Sequence, residues 1–179
     1  MSTRSRLAAG VCVLALAGCA APVVTETPNL GRAATAAEVT AWDLSIAPDG
    51  AGLPPGRGTP GQGAIVYEQK CQACHGDKGA GQPNDRLVGG HGTLASNTPV
   101  RTIGSYWPYA TTVFDYVRRA MPYTQSHSLS DVETYAVTAY LLHLNGIIGE
   151  ASVMDARTLP KVKMPNRDNF ILAYPTKPK

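Results

Sequence analysis

The pattern of apolar and polar residues predicts helices in the middle of the chain and no convincing strand. The first helix follows Thr59, a good capping residue, and runs over 60–70, since Pro60 suits the first helical position. The second runs over 108–120 and ends at Met121-Pro122, because the residue before a proline is pushed out of the helical conformation. The apolar stripe of the second helix consists of Ala110, Val113, Phe114 and Val117.

A capping box marks the start of a third helix, since Glu133 follows Ser130 three residues later. Asn145-Gly146 is typical of a helix end. The apolar residues at helical spacing between these ends are Val132, Tyr135, Ala136, Ala139, Tyr140 and Leu144. Three helices without a strand predict an all-α fold. So few helices bury little apolar area by themselves, and a large cofactor is expected to form part of the core.

The flanking segments have other patterns. Residues 20–60 are rich in Ala, Pro, Gly and Thr, which is typical of a linker, and 147–179 contains prolines without periodicity. Within residues 20–60, Trp42, Leu44 and Ile46 alternate with polar residues, which predicts an extended arm over 38–60 that packs on the domain or on a partner. The predicted organisation is a signal peptide, a linker with a docking arm, a helical domain and a C-terminal extension. These four segments are 1–18, 19–60, 61–146 and 147–179.

The first 19 residues have the features of an export signal. Arg4 and Arg6 precede the apolar run 7–17, which is too short to span a bilayer. The run ends in Leu16-Ala17-Gly18-Cys19, which resembles a bacterial lipobox and predicts a lipidated Cys19 as the membrane anchor. Ordinary secretory cleavage near Ala20 is the alternative. Both predict a periplasmic protein.

The charge balance excludes a nucleic-acid partner. The chain has 16 basic and 13 acidic side chains, and removal of 1–18 takes away two arginines, so the mature protein is close to neutral. Nucleic-acid binding depends on a strong positive field, usually on a basic face with interleaved aromatic residues, and neither is found.

One short motif carries the chemistry. Cys71-x-x-Cys74-His75 is the signature of covalent haem c attachment, in which two thiols bond the porphyrin and the histidine binds iron. A thioredoxin-type redox pair would need a βαβ context, and a zinc site would need a second pair of ligands. Neither context is present, so the sequence predicts one covalent haem c.

The ligand opposite His75 decides the type of function. Methionine gives a closed, six-coordinate iron suited to electron transfer, whereas an open position permits catalysis. Met121 is the preferred candidate, because it leaves a helix in a constrained Met-Pro turn. Met164, which also precedes a proline, stays open as an alternative, as do the three other histidines of the mature chain. These are His91, His127 and His143.

The motif and its surroundings resemble class I c-type cytochromes. The shared positions are Gly63, Tyr67, Cys71, Cys74, His75, Met121, Pro122 and Tyr140. The resemblance implies a single-haem domain, with an extended arm and tail in this chain, whose first and last helices cross at the glycine and aromatic positions. Asp85 departs from the pattern, since the family often has proline there, and the carbonyl that orients His75 is left unassigned.

A narrower resemblance, over 42–170, is to the sulfur-oxidation cytochromes that serve sulfane and sulfite dehydrogenases. It rests on segments such as Gly104-Ser105-Tyr106-Trp107-Pro108-Tyr109-Ala110 and Met164-Pro165-Asn166-Arg167. It implies that Trp107 and Tyr106 line the haem. It also implies a periplasmic electron carrier between a molybdenum dehydrogenase and a respiratory cytochrome or oxidase. The single haem motif differs from the sulfane dehydrogenase subunits that carry two haem domains.

These features predict a one-electron carrier rather than an enzyme acting by itself. Two other hypotheses remain open. One is a haem enzyme with a labile sixth ligand, either a peroxidase or a thiosulfate-oxidising cytochrome. The other is a sensor or structural haem subunit.

Overall fold

A computed structural model describes residues 30–171 and residue 173, and the predicted lipidation site Cys19 lies outside this range. The chain divides between Trp42 and Asp43 into two compact units. In the first, helix α1 (Ala36–Trp42) has no buried residue, and Trp42 is 87% exposed. The prediction of an extended arm is therefore wrong for residues 38–42. They are helical because Thr35 and Glu38 form a reciprocal cap at the first turn. The N–H of Glu38 donates to Oγ1 of Thr35 at 3.3 Å, and the N–H of Thr35 donates to the carboxylate of Glu38 at 2.9 Å.

The second unit is mostly helical, which confirms the predicted fold class. Its elements are β1 (Arg57–Gly58), α2 (Pro60–Lys70), α3 (Gln72–His75), α4 (Ala110–Ala120), α5 (Asp131–Leu144) and β2 (Met154–Asp155). The two short strands pair antiparallel, with Arg57 opposite Asp155 and Gly58 opposite Met154.

The helix ends follow local sequence signals. Thr59 caps α2 in a capping box with Gln62, and Ser130 caps α5 in the box predicted with Glu133. Helix α4 begins two residues later than predicted, because Tyr109 has an extended backbone, with φ −138° and ψ 134°. It ends as predicted, with Met121 extended before Pro122.

Helices α2 and α5 cross at a glycine, as the resemblance to class I cytochromes implies. A Cβ atom on Gly63 would lie 1.9 Å from the main-chain oxygen of Ala136 and 2.7 Å from Cβ of Tyr140. Next to the crossing, the rings of Tyr67 and Tyr140 lie 5.5 Å apart. The absence of a side chain at residue 63 therefore sets how closely the two helices approach.

Helix α5 is buried on more faces than its predicted stripe. Val132, assigned to that stripe, is 50% exposed, whereas Val137 and Leu142 on other faces are buried. The reason is that α2, β1, α4 and β2 all pack around α5. A helix surrounded in this way does not show a single apolar face.

The C-terminal extension is part of the core. Met154, Leu159 and Met164 are all buried, although the sequence between them has no helical or strand period. The segment before α2 is also bound to the helices, because the hydroxyl of Tyr135 on α5 donates to the main-chain oxygen of Pro54 at 2.9 Å.

Among the described residues, no helix is both long and apolar enough to cross a membrane.

Candidate cofactor site

The predicted attachment motif is presented by a single turn. Helix α2 passes into α3 at Cys71, whose main-chain N–H still donates to the oxygen of Tyr67 at 2.9 Å. The N–H of His75 donates to the oxygen of Cys71 at 3.0 Å. These helical bonds hold both thiols and the imidazole at the end of the helix that crosses α5.

Gly76 turns the chain back immediately after the motif. Its φ of 74° lies in the left-handed region, and a Cβ atom there would be 2.4 Å from the main-chain oxygen of Gly81. The oxygen of Gly76 accepts a hydrogen bond of 2.8 Å from the hydroxyl of Tyr67. Burial raises the pKa of Tyr67 to about 12, so this hydroxyl remains a neutral donor.

The orientation of His75 comes from the loop that follows. Its Nδ1 lies 2.8 Å from the main-chain oxygen of Asp85. A carbonyl only accepts, so Nδ1 must carry the proton and donate it. In the neutral imidazole, the other nitrogen, Nε2, then carries no proton and can bind a metal. The carbonyl left unassigned by the sequence is therefore that of Asp85.

Asn145 holds this loop against α5. Its Nδ2 donates to the oxygens of Leu87 and Leu141 at 3.2 and 2.8 Å, and its Oδ1 accepts from the N–H of Gly89 at 3.0 Å. Sequence reasoning identified Asn145 only as a helix end. The bonds to Leu87 and Gly89 fix the segment that begins two residues after Asp85, and the bond to Leu141 orients the amide on α5.

A cavity of about 570 Å³ opens beside the motif. The predicted residues Cys71, Cys74, His75, Trp107 and Met121 all line it. Its other walls come from α4, α5 and the loops at 83–87 and 101–103. The apolar side chains of these walls include Leu87, Ile103, Val113, Val117, Val137 and Leu141.

The candidates for the second iron ligand differ in whether they line the cavity. Met121, at the end of α4, lines the same cavity as His75. Met164 is 0% exposed within the core and is not part of the cavity lining. His91, His127 and His143 also lie outside the lining.

The two predicted aromatic residues have different positions. Trp107 lines the cavity and packs edge-on against Tyr116, with ring centroids 5.6 Å apart. Tyr106 lies outside the lining, and its ring contacts Phe170 and the guanidinium of Arg101. Arg101 itself lines the cavity.

An ion pair joins the motif helix to α5. The ammonium of Lys70 donates to the carboxylate of Glu133 at 2.7 Å. This bond and those from Ser130 lower the pKa of Glu133 to about 2. Because Glu133 also belongs to the capping box of α5, the pair ties the start of α5 to the end of α2.

The site fits haem better than either alternative. Burial raises the pKa of the free Cys71 thiol to about 11, which is opposite to the lowered pKa of a reactive redox thiol. The part of the chain that the structure describes also contains no group of three His, Cys, Asp or Glu side chains suited to a metal. Two thiols, an unprotonated Nε2 and a thioether around one apolar cavity are the donor set of haem c.

Comparisons with known proteins agree with haem c as the cofactor. Residues 58–141 match the family described as cytochrome c oxidase, cbb3-type, subunit III. The thiosulfate dehydrogenase of Psychrobacter arcticus is 30% identical over 82 residues. This match covers 46% of the present chain and 25% of that enzyme, so the chain spans a quarter of the enzyme's length.

A solved structure matches more of the chain. The crystal structure of the sulfane dehydrogenase SoxCD from Paracoccus pantotrophus contains a chain 42% identical to this one, with a TM-score of 0.75. The match covers 84% of the present chain and 73% of the chain in that crystal structure.

Proposed function

Since this chain belongs to the family of c-type cytochromes that includes the cytochrome subunit of the sulfane dehydrogenase SoxCD, we propose that it is a one-electron carrier in sulfur oxidation. Membership of this family implies covalently bound haem c. When bound, haem c supplies an iron that alternates between the ferrous and ferric states.

The observation that carries the proposal is the presence of His75 and Met121 on one cavity. In this proposal, Cys71 and Cys74 would hold the cofactor covalently, and His75 and Met121 would bind its iron. The carbonyl of Asp85 would orient His75 through Nδ1 and leave Nε2 for the iron, and the Met-Pro turn places Met121 at the cavity. Two firm ligands leave no open position for a substrate, which favours electron transfer over catalysis.

The walls of the cavity have a role in tuning the potential. Val113, Val117, Val137 and Leu141 form an apolar wall that excludes water. A dry environment disfavours the more highly charged ferric state, and a thioether ligand has the same effect, so both raise the potential. Such a cytochrome accepts electrons readily from a dehydrogenase.

The proposed donor is a molybdenum enzyme that oxidises sulfite or sulfane sulfur, and the proposed acceptor is a respiratory cytochrome or oxidase. The match to a sulfane dehydrogenase over most of the chain supports the donor. At the rim of the cavity, Tyr123 is 84% exposed and Tyr116 is 49% exposed, which gives a partner protein direct access to this edge. We place the carrier in the periplasm, attached to a membrane through lipidated Cys19.

Stopped-flow reduction of the purified holoprotein tests this function. A sulfite- or sulfane-oxidising molybdenum dehydrogenase with its substrate should reduce the cytochrome within the turnover time of the enzyme. Omission of the sulfur substrate is the control and should leave the cytochrome ferric. Reduction by ascorbate but not by either dehydrogenase would contradict the proposed donor.

The thiosulfate dehydrogenase match supports a second candidate, a haem enzyme with a labile sixth ligand. Carbon monoxide distinguishes the two functions, because it binds ferrous haem only where the sixth position opens. Rapid binding to the native reduced protein would favour the enzyme, and slow binding or none would favour the carrier.

A further inference from the structure

We propose that the C-terminal segment Asn166–Phe170, here called the strap, positions Trp107 in the wall of the haem cavity. This inference rests on the proposed function, because it assigns the strap a role in setting the properties of the haem. The strap contains one 3-10 turn, Arg167–Asn169, and lies far along the chain from the cavity residues it serves.

The first contact is made on the N-terminal side of Trp107. Asn166 is 7% exposed, and its Nδ2 donates to the main-chain oxygen of Tyr106 at 2.9 Å. This oxygen belongs to the peptide group that joins Tyr106 to Trp107. The bond therefore fixes the main chain from which the indole projects.

The second contact is made on the C-terminal side. The guanidinium of Arg167 lies 3.8 Å from the ring centroid of Tyr109, a close cation–π contact. Tyr109 is the residue before α4 and has no side-chain hydrogen bond that caps the helix. Asn166 and Arg167 thus hold the chain on both sides of Trp107.

A third contact connects the strap to Arg101, a side chain that lines the cavity, through the ring of Tyr106. The rings of Phe170 and Tyr106 pack edge-on with centroids 5.6 Å apart. The guanidinium of Arg101 lies 5.7 Å from the centroid of the same Tyr106 ring. Tyr106, which lies outside the cavity, is therefore the link between the strap and the cavity.

The strap is itself firmly anchored. It follows Met164, which is 0% exposed in the core, and the N–H of Arg167 donates to the oxygen of Met164 at 3.1 Å. Asn169 Nδ2 donates to Asn166 Oδ1 at 3.1 Å, which orients the amide of Asn166 towards Tyr106.

Trp107 needs such support from its neighbours. It lies in an irregular segment between Ile103 and α4, and its indole N–H has no hydrogen-bond partner among the described residues. Its packing against Tyr116 alone does not fix the ring, since Tyr116 is half exposed. Loss of the strap is expected to let the indole leave the wall and admit water.

Tryptophan fluorescence of the holoprotein reports the position of the indole. The chain has two tryptophans, so Trp42→Phe leaves Trp107 as the sole source of tryptophan emission. A nearby haem quenches tryptophan by energy transfer, so Trp107 should be dark in this background. Asn166→Ala and Arg167→Gln should each raise its emission several-fold. Both should also shift the reduction potential downwards, because water in the cavity favours the ferric state.

Matched controls separate positioning from general loosening of the tail. Lys163→Gln removes an exposed side chain that pairs with Asp168 at 3.2 Å, and it should leave emission and potential unchanged. Arg167→Lys retains a cation near Tyr109 and should restore part of the quenching lost in Arg167→Gln. Arg167 is exposed, so its variants are expected to fold even if Asn166→Ala does not.

Two results would overturn the proposal. One is unchanged emission and potential in both Asn166→Ala and Arg167→Gln, whatever happens to their stability. The other is an equal change in Lys163→Gln. Both readouts use the isolated holoprotein, so failure of a dehydrogenase to reduce it would refute the proposed function without bearing on the strap.

Discussion

The tautomer of His75 is set by a main-chain group. Because Nδ1 donates to the oxygen of Asp85, Nε2 is the ring nitrogen left to bind a metal. A carbonyl is common to all residue types, so aspartate performs here what proline performs in much of the family. Asn145 supplies the restraint on the loop that the proline ring would otherwise provide.

Replacement of Met121 tests the proposed sixth ligand. Met121→Ala should remove the weak far-red methionine-to-iron band of the ferric protein, because no other methionine among the described residues lines the cavity. It should also permit rapid binding of carbon monoxide to the reduced form.

Met164→Leu is the control, since a volume-conserving change in the core costs less than ~1.5 kcal/mol and leaves the iron untouched. Persistence of the band in Met121→Ala would show that another residue binds the iron.

Glu133 links stability to pH. Its pKa lies at about 2 in the folded protein against an ordinary 4.5, so its contribution is complete above pH 4.5 and is lost as the pH falls towards 2. Glu133→Gln keeps the capping hydrogen bond but removes the ion pair with Lys70. The variant should be less stable by up to ~1 kcal/mol at pH 7 and equal to the original protein near pH 2.

Urea unfolding at a series of pH values measures this difference. Glu68→Gln serves as the control, because Glu68 is exposed on α2 and makes no ion pair within the described residues. A stability difference for Glu133→Gln that stays constant from pH 7 to pH 2 would contradict the assignment.

At the scale of elements, the crossing of α2 and α5 determines the position of the cofactor site. Helix α2 carries the attachment motif at its end, so its distance from α5 determines where the thiols and His75 lie relative to the wall formed by Val137 and Leu141. The close approach at Gly63 and the Lys70–Glu133 pair fix this distance at two points along α2.

Two glycines of α2 provide a matched test of the crossing. Gly63→Ala should lower the free energy of unfolding by ~3 kcal/mol, because its Cβ would overlap the main chain of Ala136. In Gly61→Ala, the new Cβ atom has no heavy atom within 4 Å, so the higher helix propensity of alanine should raise the free energy of unfolding by up to ~1 kcal/mol. Denaturant unfolding of the holoproteins compares them. Equal effects would show that helix propensity, rather than the crossing, controls position 63.

At the scale of the whole molecule, a core of modest size is completed from both ends of the domain. Ile46 and Leu53 from the arm and Met154, Leu159 and Met164 from the extension pack with the helices. Apolar side chains of α4 and α5 also face the cavity of about 570 Å³. The cofactor is therefore expected to be a structural part of the fold as well as its redox centre.

Removal of the cofactor tests this dependence. A Cys71→Ser, Cys74→Ser variant freed of haem should bind the apolar dye ANS and lose near-ultraviolet circular dichroism, because the walls of the cavity lose their contacts. Its far-ultraviolet signal should fall less, since the capping boxes act locally. An apoprotein with native near-ultraviolet signal and cooperative unfolding would show that the helices and extension suffice.

Local features could be predicted from the sequence because adjacent residues determine them. The attachment motif, the capping residues Thr59 and Ser130 and the end of α4 at Met121-Pro122 each depend on contacts within one turn. The family resemblance added the crossing at Gly63. The packing of the C-terminal extension into the core was not predicted, because Met154, Leu159 and Met164 lie in an irregular segment that has no period to detect.

By itself, the sequence determined that two thiols and a histidine would hold a haem, since this chemistry needs only five consecutive residues. It narrowed the second ligand to a few methionines and histidines. Only the tertiary structure brought Met121 to the cavity of His75, left Met164 in the core and joined the strap to the Trp107 segment. These relations depend on residues far apart in the chain, which only packing brings together.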